Sequence, residues 1–113
     1  MKDYNDEILY KGKAYKLIFD LNVMEEIQDE YGTFGKWAEL TVQNEPNIKA
    51  LKFAFFAMVN EGIRVSNEDN GTDEPEVTKQ FIGRMLTEFG IVEATKKLTN
   101  IVENSAGDDR KNE

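Results

Sequence analysis

Residues 47–60 read Asn-Ile-Lys-Ala-Leu-Lys-Phe-Ala-Phe-Phe-Ala-Met-Val-Asn and form the most apolar stretch of the chain. Large apolar residues recur there at the spacing of an α-helix, which places them on one arc that faces the core. The arc consists of Ile48, Leu51, Phe55, Met58 and Val59. Asn47 is a suitable N-cap and Gly62 a suitable stop, so the pattern predicts a central helix between them.

Phe53 and Phe56 lie outside this arc, on the side of the helix that also carries Lys49 and Asn60. One explanation is a helix that is buried all round, with other elements covering its second face. The other is an exposed aromatic patch that grips a partner, because apolar patches on soluble proteins are commonly interaction sites. The sequence leaves both explanations open, and full burial of both rings in one subunit would exclude the second.

Before the central helix, two short β-branched and aromatic runs flank Gly12. Because glycine readily adopts the positive φ of a tight reversal, residues 7–19 are predicted to form a β-hairpin. In its second strand, Tyr15, Leu17 and Phe19 share the face that we expect to pack on the helices.

Two helices are predicted between the hairpin and the central helix. Asp20 or Asn22 caps the first of them, and Gly32 ends it. Its core-facing residues are Val23, Met24, Ile27 and Tyr31. The second runs from Phe34 to Leu40 and places Trp37 as a core anchor.

After the central helix, residues 67–76 carry five acidic side chains and no basic ones, which predicts a surface loop. Asp73 and Glu76 resemble a capping box for a helix that ends at Gly90. That helix is expected to face the core with Val77, Phe81, Ile82, Met85, Leu86 and Phe89. A last helix is predicted from Ile91 to about Asn104.

These elements predict an α+β fold with one mainly helical domain at residues 1–105. The domain begins with the hairpin at 7–19. Residues 106–113 are predicted to be a flexible polar tail.

The composition excludes several classes of function. The 113 residues include 14 basic and 22 acidic side chains, a net charge of −8, which argues against binding to nucleic-acid phosphates. The chain has no His and no Cys, so it lacks the commonest general base, all thiolate chemistry and the usual zinc ligands. No apolar run reaches the ~20 residues that cross a bilayer, and the amino terminus lacks a secretion signal. We therefore expect a cytosolic protein that binds neither nucleic acid nor membrane.

No set of residues predicts catalysis. The acidic loop resembles part of a calcium loop, but with Gly71 in the sixth position the twelfth is Val77, where calcium binding requires Glu. Four acids of the first helix could be considered for acid–base work, yet such runs beside an apolar stripe are typical of a solvated face. These acids are Glu25, Glu26, Asp29 and Glu30. A metal-dependent hydrolase is therefore the less favoured alternative, and we expect no catalytic residue, no cofactor and no metal site.

Several short strings, spread over about the first hundred residues, point to one family when taken together. They are Tyr10-Lys11-Gly12-Lys13, Leu21-Asn22-Val23-Met24-Glu25-Glu26-Ile27, Tyr31-Gly32, Trp37, Ile48-Lys49-Ala50-Leu51, Asn60-Glu61-Gly62-Ile63 and Gly83 ahead of Gly90. In this order they resemble the small tail assembly chaperones of long-tailed phages and prophages of Gram-positive bacteria.

The resemblance implies a non-catalytic protein of the host bacterial cytoplasm that coats the tape measure protein until the tail tube forms around it. A homo-oligomer is expected, and a longer frameshifted form would contact the major tail protein. The partner-binding residues expected here are Phe34, Trp37, Phe53 and Phe56. The alternative is a small structural tail subunit that is retained in the virion.

Overall fold

The predicted α+β fold is confirmed, because a β-hairpin precedes a set of packed helices. The computed structural model describes residues 6–41 and 45–111, with side chains described through Ser105. Its elements are β1 (Glu7–Tyr10), β2 (Lys13–Lys16), α1 (Leu21–Tyr31), α2 (Phe34–Thr41), α3 (Ile48–Asn70), α4 (Lys79–Phe89) and α5 (Ile91–Lys111). Among these residues, no helix combines the length and the apolar character needed to traverse a lipid bilayer.

A two-residue turn joins the strands of the hairpin. The strands pair antiparallel, with Tyr10 opposite Lys13 at the turn. Lys11 has φ 52° and Gly12 has φ 79°, as in the type I′ turn whose twist matches that of paired strands. The chain after β2 then enters the core.

The expected alternation of Tyr15, Leu17 and Phe19 holds only as far as β2 extends. Leu17 and Phe19 are buried, but Ile18 between them is buried too. The reason is that the chain leaves the strand after Lys16, and the Ile18 amide donates a hydrogen bond to the carbonyl of Met58 on α3 at 3.4 Å.

Helix α3 is central, because it packs against β2, α1, α2 and α4. The largest fully buried side chains of the core are Trp37, Phe55, Ile8, Leu17, Ile18, Ile27, Leu51, Met58, Ile82, Met85, Val23 and Val59. Four of the five residues on the predicted arc are therefore core residues. The fifth, Ile48, is 49% exposed, since it lies in the first turn of α3, at the edge of the packed helices.

The expected stop at Gly62 is wrong, because α3 continues through this residue to Asn70. A Cβ atom at Gly62 would lie 2.4 Å from the backbone oxygen of Lys16. The glycine therefore permits a close crossing of α3 and the hairpin. The helix ends instead at Gly71, which has a left-handed conformation.

The two residues before Gly62 also hold other elements. Asn60 is 1% exposed, and its side chain accepts a hydrogen bond from the Val77 amide at 2.8 Å and donates one to the Val77 carbonyl at 3.1 Å. Glu61 accepts hydrogen bonds from Asn22 Nδ2 and Arg64 Nη1, each at 3.0 Å. We call Asn60, Glu61 and Gly62 the anchor of α3.

The ends of α1 and α4 test the capping predictions. Asp20 is the cap of α1, since its side chain accepts from the Val23 amide, and α1 and α4 end before Gly32 and Gly90 as predicted. The capping box at Asp73 and Glu76 is wrong, because Thr78 caps α4. Glu76 instead pairs with Arg64, and its neighbour Val77 is held by Asn60, so the chain turns helical only after Thr78.

The acidic loop is shorter and the last helix longer than predicted. Residues 67–70 belong to α3, because the helix does not stop at Gly62. Helix α5 extends past the predicted end near Asn104 to Lys111, a stretch whose sequence contains no proline. Of the predicted tail, 106–113, the first six residues lie in α5, and residues 112 and 113 are outside the described residues.

Candidate binding surface

Phe53 and Phe56 form the centre of an aromatic patch on the outer side of α3. The two ring centroids are 6.2 Å apart, and Tyr31 at the end of α1 packs edge-on against Phe53 at 5.7 Å. All three side chains are partly exposed while they contact the core. Neither phenylalanine is fully buried, so the interaction hypothesis for this pair stays a prediction. We call Tyr31, Phe53 and Phe56 the aromatic patch.

Lys79, the first residue of α4, lies over the aromatic patch. Its Nζ atom is 5.4 Å from the ring centroid of Phe53 and 5.3 Å from that of Phe56. Such cation–π contacts are worth about 0.5–1 kcal/mol at exposed sites. The patch therefore presents apolar ring surface with a positive charge directly beside it.

The hydroxyl of Tyr31 is unusual among the described side chains, because it is a buried polar atom without a hydrogen-bond partner. Burial, and to a smaller extent the charge of Glu30, raises the pKa of Tyr31 above its ordinary value. An unsatisfied buried hydroxyl costs about 1–3 kcal/mol. The aromatic patch is thus a place where hydrogen bonding within the single chain is incomplete.

Phe34 and Trp37 belong to a different cluster. Their ring centroids are 5.1 Å apart, and Phe19 packs against Phe34 at 6.0 Å. Trp37 is 1% exposed and donates from Nε1 to the Ala50 carbonyl at 3.1 Å. Its prediction as a core anchor is confirmed. Its role as a partner contact stays a prediction, to which the structure adds no support, because its indole nitrogen and its ring are both used inside the fold. Phe34 is partly exposed.

An apolar groove that the sequence did not predict opens between α3, α4 and the start of α5. It has a volume of about 300 Å³ and is lined by Ile48, Leu51, Lys52, Gly83, Leu86, Thr87 and Ile91. Ile48 and Ile91 are 49% and 45% exposed at its edges. We refer to this space as the groove.

The groove continues toward the aromatic patch. A second cavity of about 240 Å³ is lined by Ile48, Lys49, Lys52, Phe53 and Lys79. It shares Ile48 and Lys52 with the groove and Phe53 with the aromatic patch. Together the two cavities and the patch form one apolar surface along the outer side of α3.

Lysines border this surface. Lys49, Lys52 and Lys79 line the second cavity, and none of the ion pairs found in the described part of the chain involves them. We call these three residues the lysine rim. In a chain of net charge −8, the rim is a local concentration of positive charge on an apolar surface.

The carboxylates gather elsewhere, around Arg64. This side chain contacts Glu61 at 3.0 Å, Glu76 at 2.9 Å and Glu26 at 3.3 Å. Its hydrogen bonds, first of all with Glu76, raise the pKa of Arg64 above its ordinary value. The cluster therefore joins α3 to α1 and to the segment before α4.

Asp20 and Glu61 form a carboxyl pair next to this cluster. Burial, followed by a hydrogen bond with Glu61, raises the pKa of Asp20 to about 6. The hydrogen bond with Asp20, and those from Asn22 and Arg64, lower the pKa of Glu61. Divergent pKa values occur in acid–base catalysts, but here the oxygens are engaged in capping α1 and in binding Asn22 and Arg64. We interpret the pair as structural.

The acids considered from sequence for metal or acid–base chemistry are not gathered into a site. In α1, Glu25, Asp29 and Glu30 are exposed, whereas Glu26 contacts Arg64. Across residues 6–41 and 45–105, no group of three or more acidic side chains is placed to hold a metal ion.

Comparisons of the chain with protein-family models, with curated proteins and with solved structures give no match. The interpretation of this surface therefore depends on its own geometry and charge.

Proposed function

We propose that this protein is a phage or prophage tail assembly chaperone that binds the tape measure protein without catalysing a reaction. The observation that carries the proposal is that Phe53 and Phe56 are partly exposed on an apolar surface that continues into an open groove. The resemblance of the sequence to such chaperones is its second support.

This surface has the physical properties that a chaperone of the tape measure protein needs. A tape measure protein is long and helical, and bare apolar stripes on its helices would self-associate. A small domain with an apolar groove can cover such a stripe by the helix-in-groove mode of recognition. The net charge of −8 would keep coated complexes apart. The proposal thus assigns the apolar surface to the client and the acidic exterior to solubility.

Release of the client is part of the proposed function. The aromatic rings are partly covered by the core and by Lys79 before any partner binds, so only part of their area remains for a client. Affinity from such contacts is reversible, and charge then acts mainly against wrong partners. We further propose that the chaperone acts in the host cytoplasm as a homo-oligomer, and that a longer frameshifted form contacts the major tail protein.

Coexpression with the tape measure protein tests the proposal. The tagged wild type should capture it, and the double variant Phe53→Gln, Phe56→Gln should reduce the capture about tenfold or more, because aromatic anchors dominate binding energy. Phe81→Gln is the matched control. Phe81 is another partly exposed ring, 5.3 Å from Tyr10 and 5.7 Å from Tyr15, and its loss should leave capture intact.

Circular dichroism and thermal melting should show that all three proteins remain helical. Undiminished capture by the double variant would contradict the role of the aromatic patch. Mass spectrometry of purified virions gives a separate test, because a chaperone leaves the particle. Stoichiometric retention of this chain would favour a structural tail subunit instead.

A further inference from the structure

The charge around the groove is opposite to that of the chain. None of the described residues that line the groove or the second cavity is acidic, and three of them are the lysines of the rim. Elsewhere the molecule carries an excess of carboxylates. The net charge would therefore repel a negatively charged partner, whereas the lysines beside the groove would attract it.

The shape of the groove fits a helix. The α4 residues that line the groove and the second cavity extend from Lys79 to Thr87. These nine residues span about 12 Å of helix. This length accommodates about two turns of a partner helix, whose apolar side chains at i, i+3 or i+4, and i+7 would enter the two cavities. The lysine rim would then face the flanks of that helix.

Gly83 gives the groove its depth. The three atoms nearest to a Cβ atom at this position belong to the side chain of Lys52 and lie 3.5 Å or more away, which is ordinary van der Waals contact, so packing within the chain does not require a glycine. Glycine inside a helix costs about 1 kcal/mol relative to alanine. A glycine at this position leaves room in the groove for a side chain of a partner. The flexible side chain of Lys52 can move to make that room larger.

A second copy of this chain does not supply such a helix. Outside the groove edges, the exposed large apolar residues are Leu9, Leu21 and Val92. Leu9 is in a strand, and Leu21 and Val92 are on different helices. Among the described side chains, therefore, no helix outside the groove carries two of these most exposed apolar residues one turn apart.

From these observations we infer that the groove and the second cavity bind an amphipathic helix whose apolar stripe is flanked by Asp and Glu. The inference rests on the proposed function, because it names the chemistry of the client segment. It adds that this segment is chosen by negative charge, through the lysine rim, as well as by apolar contacts.

Two synthetic helical peptides of about 18 residues test this inference. Both carry Leu at i, i+3, i+4 and i+7, with Glu on the flanks of one and Lys on the flanks of the other. Fluorescence anisotropy should show the Glu peptide binding about tenfold more tightly or better. Added salt should reduce the difference, because the rim is solvent-accessible.

Two pairs of variants place the binding in the groove. Lys52→Glu with Lys79→Glu should reverse the preference for the peptides, while Lys36→Glu with Lys96→Glu, an equal charge change at exposed sites on α2 and α5, should not. Gly83→Leu should weaken the binding of the Glu peptide about tenfold, because the new side chain fills the groove. Gly35→Leu adds the same side chain at an exposed position of α2 and should have no effect.

The outcomes separate this inference from the chaperone proposal. If the tape measure protein is captured but the peptides bind equally or not at all, the inference about charge is wrong and the chaperone proposal stands. If the Glu peptide binds as expected but the tape measure protein is not captured, the reverse holds. Sedimentation equilibrium tests the remaining alternative. If the wild type self-associates and the double variant Lys52→Glu, Lys79→Glu does not, a second copy occupies the groove and the inference is overturned.

Discussion

Gly62 and Gly83 both lie inside a helix, but their surroundings differ. At Gly62 the backbone of Lys16 lies where a methyl group would go, and the neighbouring Asn60 and Glu61 have hydrogen-bond partners in other elements. At Gly83 the nearest atoms to a methyl group would be those at the end of the Lys52 side chain, 3.5 Å or more away. The first glycine is required by a contact that holds the fold, and the second leaves a space on the surface.

The contrast extends to charge and burial along α3. Near the anchor, Arg64 pairs with carboxylates from α1, α3 and the segment before α4. Toward the start of the helix, the lysine rim takes part in none of the ion pairs found among residues 6–41 and 45–105. The polar side chains at the anchor of α3 therefore have partners within the chain, whereas the first turns of α3, together with Lys79, present cations and apolar surface to solvent.

The largest effect that this contrast predicts is at Gly62. Gly62→Ala should lower the free energy of unfolding by about 2–3 kcal/mol in urea denaturation, because a Cβ atom 2.4 Å from a backbone oxygen forces α3 and the hairpin apart. Gly83→Ala is the matched control and should raise stability by up to about 1 kcal/mol. Equal stability of the two variants would remove the distinction between the glycines.

A smaller effect is expected at Asn60. Asn60→Ala removes the side chain that bonds both backbone groups of Val77 and should lower the free energy of unfolding by about 2 kcal/mol, because a partly buried amide and carbonyl lose their hydrogen bonds. Native-state hydrogen exchange should become faster at the Val77 amide. Asn100→Ala, at an exposed position of α5, should change neither quantity. Slow exchange at Val77 in the first variant would show that the anchor does not hold this segment.

The smallest predicted effect on stability is at Asp20, which lies beside Glu61 of the anchor. Its pKa is raised to about 6 in the folded state, against about 4 when unfolded. Its contribution to stability is therefore fully present below pH ~4 and is lost as the pH rises through about 6. The lowered pKa of Glu61 acts in the opposite sense only at more acidic pH, where that carboxylate becomes protonated.

Asp20→Asn keeps the capping oxygen and places a neutral amide beside Glu61 at every pH. Relative to the wild type, the variant should gain about 1 kcal/mol between pH 4.5 and pH 7.5, measured as a difference in melting temperature. Asp29→Asn, at an exposed position of α1, should show no such gain. A constant difference between Asp20→Asn and the wild type across this range would show that the pKa of Asp20 is not raised in the folded protein.

Local patterns in the sequence located most of the elements. The turn at Gly12, the helix ends at Gly32 and Gly90 and the burial of Trp37 and Phe55 follow from glycine conformation and helical spacing. The errors came where distant residues decide a boundary. Gly62 looked like a stop, but the contact with Lys16 explains it.

The candidate surface was predicted only in part. Helical spacing sets Phe53 and Phe56 apart because they lie outside the apolar arc. The same spacing predicts that Ile48 is a core residue, but it is 49% exposed. The groove involves three helices, so no single periodic pattern contains it. A glycine in the middle of α4, at Gly83, was the local signal that could have drawn attention to it.

By itself, the sequence determined that this chain builds a helical core behind a hairpin and lacks histidine and cysteine chemistry, because apolar spacing and composition are properties of the chain alone. Tertiary structure decided which apolar residues stay exposed to solvent and which glycines allow two elements to pack closely. The physical reason is that exposure and contact depend on residues brought together from distant parts of the chain, as Lys79 is brought over Phe53 and Phe56.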